Sequence, residues 1–175
     1  DVPFHIHVSE QLKEVEDSVR YLGARPVEWL LNNLELNERF HLVHATHLAK
    51  NETEKLAKSG ANVVLCPSTE GNLGDGVFRL SEYRAAAGRY GIGGDSHVSR
   101  DPAEELRMLE YFQRVTTRKR NIATSQSSRS VGTTLWLEAA AGGAQALGRR
   151  MGALAPGMRA DLVVLDEQSI ELTGK

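Results

Sequence analysis

Four short runs of β-branched and aromatic residues, at 2–8, 39–44, 62–66 and 90–95, alternate with helix-patterned segments, and this alternation constrains the fold most. No hairpin signal joins any two runs, so the pattern predicts an α/β fold with parallel strands. In the first run Phe4, Ile6 and Val8 fall on one face and His5 and His7 on the other. Leu12, Val15, Val19 and Leu22 then recur at helical spacing over 11–22, with Gly23 as the stop. Pro26 opens a second short helix. Asn51 with Glu54 has capping-box spacing and predicts a helix start, closed by Gly60. Residues 67–76 carry Ser, Thr, Asn, Asp and glycines and predict a loop. A short helix is expected near 81–87, starting at Ser81, and a long one from Asp101-Pro102 to about 118. A polar loop at 121–130, an alanine-rich helix at 131–147 and a strand at Leu162-Val-Val-Leu165 complete the reading.

Four βα units make half of an eight-stranded barrel, which takes about 250 residues. The chain has 175. An open doubly wound sheet is the alternative, but no glycine-rich dinucleotide fingerprint follows any strand. The opening Asp1-Val2-Pro3 has neither an initiator methionine nor a leader layout, and reads as the middle of a longer chain. A hydrophobic share of 41% permits a sizeable core. The net charge of −2 excludes a strong field selecting nucleic acid or membrane. The basic run Arg118-Lys119-Arg120 reads as a solvated helix end. No apolar run approaches the roughly 20 residues of a membrane span. Cys66 is the single cysteine, so no internal disulfide exists and a reducing, cytoplasmic setting is expected.

Ionisable and hydroxyl residues collect where each strand ends: His7 and Glu10, His44 and His47, Ser68 to Glu70, and Asp95 to His97. In α/β barrels that rim carries the active site. His7-x-x-Glu10 would let an imidazole hold a metal while a carboxylate overhangs the same cavity. Each residue also has a plain structural reading. His7 could be a satisfied core histidine, Glu10 a helix-start acid, Asp95 a turn residue, and His47 and His97 loop residues. His5 reads as structural, one layer below His7. His41 has the opposite parity to His44 and is expected to face the helices. Gly91, Gly93 and Gly94 are expected to leave room beside Asp95. Cys66 has no general base beside it in sequence and is not read as a nucleophile.

His7-x-x-Glu10, the strand-end His44 and the strand-end Asp95 together resemble the amidohydrolase superfamily, in its mononuclear deaminase branch. The resemblance covers nearly the whole chain. It implies the C-terminal half of a (β/α)8 barrel, strands 5–8, over residues 1–150, and part of a small β-sandwich domain over 151–175. The tail Gly157 to Asp166 carries the latter expectation. The resemblance makes His7 and Asp95 metal ligands, and Glu10, His44 and Asp95 catalytic. The implied cofactor is one divalent metal, zinc by default with iron possible. The first-strand His-x-His of the family lies outside this sequence, so the chain alone is expected to be inactive. Six segments are similar to members that hydrolyse N-formimino-L-glutamate to N-formyl-L-glutamate and ammonia: His5 to Gln11, Leu42 to His47, Ser68 to Gly76, Gly94 to His97, Arg118 to Asn121 and Gly142 to Gly148. The partner implied is a small-molecule substrate, with no nucleic acid or membrane, and a homodimer at full length. The alternatives are a superfamily deaminase acting on guanine, cytosine or an adenosine-like base, and a catalytically silent α/β domain.

Overall fold

The computed structural model describes residues 2–97 and 99–170. Four strands, β1 (Phe4–Val8), β2 (Phe40–His44), β3 (Asn62–Leu65) and β4 (Arg89–Ile92), form one parallel sheet in chain order. Between them lie α1 (Leu12–Leu22), α2 (Pro26–Asn33), α3 (Lys50–Lys58), α4 (Pro67–Leu73) and α5 (Leu80–Ala85). After β4 come α6 (Pro102–Thr117) and α7 (Val131–Ala146). The start of α6 follows its expected chemistry: Asp101 accepts a hydrogen bond from the Ala103 amide, and Pro102 occupies the first turn. Gly23 ends α1 in the left-handed conformation, as its position implies.

One face of the sheet packs on helices. Val8, Leu42, Val63 and Leu65 share a buried cluster with Val27, Leu30, Leu56 and Leu80. Each such side chain contributes about 1.5–3 kcal/mol when fully buried. At the other end of the molecule, α7 crosses the beginnings of the strands and closes them from below. Asn62 Nδ2 donates to the Gly142 carbonyl at 3.1 Å, and Gln145 Nε2 donates to the carbonyls of Glu38 and Gly60 at 3.1 and 3.0 Å. Helix and sheet approach so closely that a Cβ on Gly142 would lie 1.9 Å from the Tyr90 carbonyl oxygen.

Several sequence expectations change here. Residues 67–73 are a helix where a loop was expected. Pro67 starts it, the Glu70 carboxylate accepts from the Cys66 amide at 2.8 Å, and left-handed Gly74 ends it. The start of α3 lies before Asn51. Glu52, not Glu54, reaches back to the Ala49 amide at 2.6 Å, and it is buried because it also accepts from Arg25 and the Glu28 amide. Gly91 leaves no room for substrate, since a Cβ there would meet the Gly143 amide nitrogen at 3.0 Å. Its role is to let α7 come close. No strand forms at Leu162 to Leu165, where Val164 is 93% exposed. A strand needs a neighbour for its backbone hydrogen bonds, and none pairs with this segment among the described residues. The segment expected as part of a small domain, 151–175, runs outside the described residues from 171 onward.

Candidate active site

The ends of β1 and β2 come together through backbone continuity beyond the strands. The Ala45 amide donates to the Val8 carbonyl and the His47 amide to the Ser9 carbonyl, both at 3.0 Å. Ser9, His44 and Ala45 all hold positive φ, at 52°, 66° and 49°. Non-glycine residues pay a steric cost there, and such strain concentrates where a side chain must be aimed. Register explains the aim. Val8 pairs with His44, and Val8 lies in the helix-facing core. A regular strand would therefore send His44 toward the helices, and its left-handed backbone turns it instead toward His7.

The result is a compact group. One ligand atom from each of His7, Glu10 and His44 lies within 4.8 Å of the others. The His7 and His44 rings are 5.0 Å apart, edge to face. His44 Nε2 lies 3.6 Å from Glu10 Oε1, too far for a hydrogen bond, so this fully buried nitrogen has no partner. Its other nitrogen, Nδ1, is 3.3 Å from Glu70 Oε1. Burial lowers the His44 pKa. The Glu70 hydrogen bond and the charges of Glu10, Glu70 and Asp95 outweigh it, and the ring ends above its ordinary value.

Glu10 is available for this group because another acid does the capping. Glu14 accepts from the Ser9 and Glu10 amides at 2.7 and 2.9 Å, which removes the helix-start reading of Glu10. Asp95 stands apart. It is exposed and does not join the group of His7, Glu10 and His44, although its charge is felt at His44. Beside it lies a cavity of about 400 Å³ lined by Gly93, Gly94, His97 and Glu105, so these two glycines do leave room there. His97 accepts from the Ser99 amide through Nδ1, a bond within its loop, while the His47 main-chain carbonyl accepts from Arg25 and its imidazole Nε2 is buried without a partner. Cys66 is buried, and burial, with the neighbouring carboxylates of Glu70, Asp95 and Glu105, pushes its thiol well above the ordinary range. A thiol so held is no nucleophile at neutral pH.

Two buried carboxylates, Asp75 and Glu105, escaped the sequence reading, and a third, Glu70, was read only as one of the groups at a strand end. Glu70 contacts His44, and Glu105 accepts from the amide and hydroxyl of Ser68. Asp75 accepts from Gln11 while its second oxygen is buried without a partner. Burial and the nearby Glu10 charge raise the Asp75 pKa. The signal for the helix that Glu70 caps is its position three residues after Pro67. Below the sheet, His41 overturns its parity expectation. It pairs in register with His5, on the face of His7, and their rings are 4.7 Å apart. Burial, then the neighbouring His5, lowers the His41 pKa to about 4. A larger cavity of about 840 Å³ lies far from this chemistry, lined by Arg84, Tyr90, Glu138 and Gly142. There Glu138 is already occupied by a two-pronged Arg84 pair and the Tyr90 hydroxyl.

Comparison with known proteins matches the amidohydrolase family model over residues 1–173. Formimidoylglutamate deiminase of Pseudomonas aeruginosa is 52% identical over 166 residues, 95% of this chain and 37% of that protein. An amidohydrolase from Brucella melitensis superposes with a TM-score of 0.82 at 49% identity, covering 84% of this chain and 33% of that one. An adenosine deaminase from Xanthomonas campestris with bound zinc superposes with a TM-score of 0.83 at 30% identity, covering 98% and 39%. The chain thus spans well under half the length of each of these relatives.

Proposed function

The chain belongs to the amidohydrolase family, and from that premise we propose that it is the second half of a metal-dependent deiminase barrel acting on N-formimino-L-glutamate. The observation that carries this reading is the convergence of His7, Glu10 and His44 at the ends of β1 and β2. Its support for substrate is the 52% identity to the Pseudomonas aeruginosa deiminase. In this reading β1 to β4 are strands 5 to 8 of the barrel, and the region from 151 belongs to a small second domain. The exposed edge strand β1, with Phe4, Tyr21 and Leu22 uncovered nearby, is the side on which preceding strands would pack.

A divalent cation fits the gathered donors, which are the His7 imidazole, the Glu10 carboxylate and the unpartnered buried Nε2 of His44. Asp95 lies outside that group, and its place as a ligand rests on the family resemblance. Zinc is the first choice, because it is bound in the Xanthomonas campestris relative. His7 and Asp95 would hold it, with further ligands from outside this chain. Such an ion, when bound, supplies a water acidified toward a pKa of about 7 and a Lewis acid for the amidine. The chain's own residues do the rest. Asp95 accepts a proton from the attacking water. His44 Nε2 orients its oxygen. Glu10, partly exposed and 3.6 Å from that nitrogen, carries a proton to the imino nitrogen so that ammonia can leave.

Ammonia release by the complete, metal-loaded enzyme tests the proposal, with N-formimino-L-glutamate beside guanine, cytosine and adenosine. Turnover of the formimino compound alone is expected. Turnover of a nucleobase or nucleoside instead would support the second reading, which the adenosine deaminase of Xanthomonas campestris favours. No stoichiometric metal and no turnover would leave a silent domain.

A further inference from the structure

We propose that Glu70 is the positioning residue for His44: it holds the Nδ1 proton and so turns Nε2 toward the reacting atoms. The proposal rests on the catalytic reading of His44 given above. It starts from a single oxygen. Glu70 Oε1 lies 3.3 Å from His44 Nδ1 and accepts from the Cys66 amide at 2.8 Å. Glu70 is 3% exposed and His44 fully buried, so water does not compete for the contact. Capping α4 alone would account for a glutamate here. It would not account for the same oxygen facing a buried imidazole whose other nitrogen is unpartnered and directed at the Glu10 side of the site.

An imidazole has two tautomers, and the partner of one nitrogen decides which face the other presents. A carboxylate beside Nδ1 selects the form with the proton there. Without it, a neutral ring is free to place its proton on Nε2 or to rotate. Glu70 is itself well anchored. Thr69 Oγ1 donates to the Gly94 carbonyl at 2.8 Å and accepts from the His97 amide at 3.1 Å. The amide and hydroxyl of Ser68 donate to buried Glu105. Helix α4 is thereby fastened to the segment that carries Asp95, and Glu70 transmits that register to the His44 ring. The device joins residues from β2, α4 and the segment after β4, and no one of those stretches reveals it in sequence.

The test uses the complete metal-loaded enzyme with Glu70→Met, which keeps length and removes the acceptor, and Glu70→Gln, which keeps an acceptor oxygen. Four quantities are read: kcat, KM, bound metal, and the ¹⁵N signals of the His44 ring at a pH where it is neutral. For Glu70→Met, kcat falls about 10- to 100-fold. KM stays within about twofold, metal content is unchanged, and the ring signals leave the Nδ1–H pattern. Glu70→Gln restores most of kcat and the wild-type ring signals. A wild-type ring already protonated on Nε2 with bare Nδ1 would overturn the proposal, and this holds even if Glu70→Met fails to fold. So would a folded Glu70→Met enzyme with unchanged ring signals and a kcat within twofold, whatever its loss of thermal stability. If the wild type turns over none of the substrates offered, the functional reading fails, while the ring signals still decide the role of Glu70.

Discussion

Two histidine pairs bridge β1 and β2, at opposite ends of the same two strands. His7 and His44 lie at the upper end with rings 5.0 Å apart, and His5 and His41 at the lower end with rings 4.7 Å apart. Composition and spacing hardly distinguish them. Their neighbours do. Glu10 and Glu70 stand beside His44, and its pKa is raised against the effect of burial. At the lower end α7 covers the strands, His5 Nε2 sits 2.9 Å from the Ala146 carbonyl, and no carboxylate offsets the burial of His41. The upper ring can carry charge and hold a proton. The lower ring is held neutral, as part of the floor. A histidine is made chemical or structural by what is packed against it.

The largest expected effect breaks the upper end. In the complete enzyme Glu10→Gln should lower kcat by about 10²- to 10⁴-fold with metal retained, as stopped ammonia assays and metal analysis would report. A near-normal kcat would remove Glu10 from the chemistry and leave the upper pair as structural as the lower. A large effect at the lower end is one of stability alone. Gly142→Ala places a methyl against the Tyr90 carbonyl, and urea unfolding should show a loss of about 3 kcal/mol or more. An unchanged urea midpoint would mean that α7 does not press on β4 as described.

The smallest effect sharpens the comparison through pH. The folded pKa of His41, about 4, lies below the ordinary value of 6.5. Between those values the unfolded chain binds more protons, so stability falls as pH drops from about 6.5 toward 4 and levels off below. The neutral floor contributes ~3 kcal/mol above pH 6.5 by this route. His41→Asn should flatten that part of the profile, measured as the difference in urea midpoints between pH 7.5 and pH 4.5. A profile as steep as the wild type's would show that His41 is not the group responsible.

The parallel alternation, the Asp101-Pro102 helix start and the Gly23 stop were legible because each depends on residues a few positions apart. The strand-end placement of His7, Glu10 and His44 was legible for the same reason. What escaped was every feature with a distant partner. Helix α4 has no apolar period, and is held by Glu105 from α6 and the Gly94 carbonyl. Glu52 rather than Glu54 caps α3 because Arg25, 27 residues away, reaches it. Parity sent His41 to the wrong face because it took His44 as a regular strand residue, and His44 has left-handed backbone.

The sequence by itself determined the periods, the element order and the identity of the groups gathered at one rim, since these follow from local geometry and chain direction. Only the tertiary structure decided which histidine faces carboxylates and which faces a helix, which acid caps and which is left beside His44, and that Gly91 serves packing. The physical reason is that desolvation and charge–charge terms depend on distance in space, which the strand register and the close approach of α7 set, and which spacing along the chain does not encode.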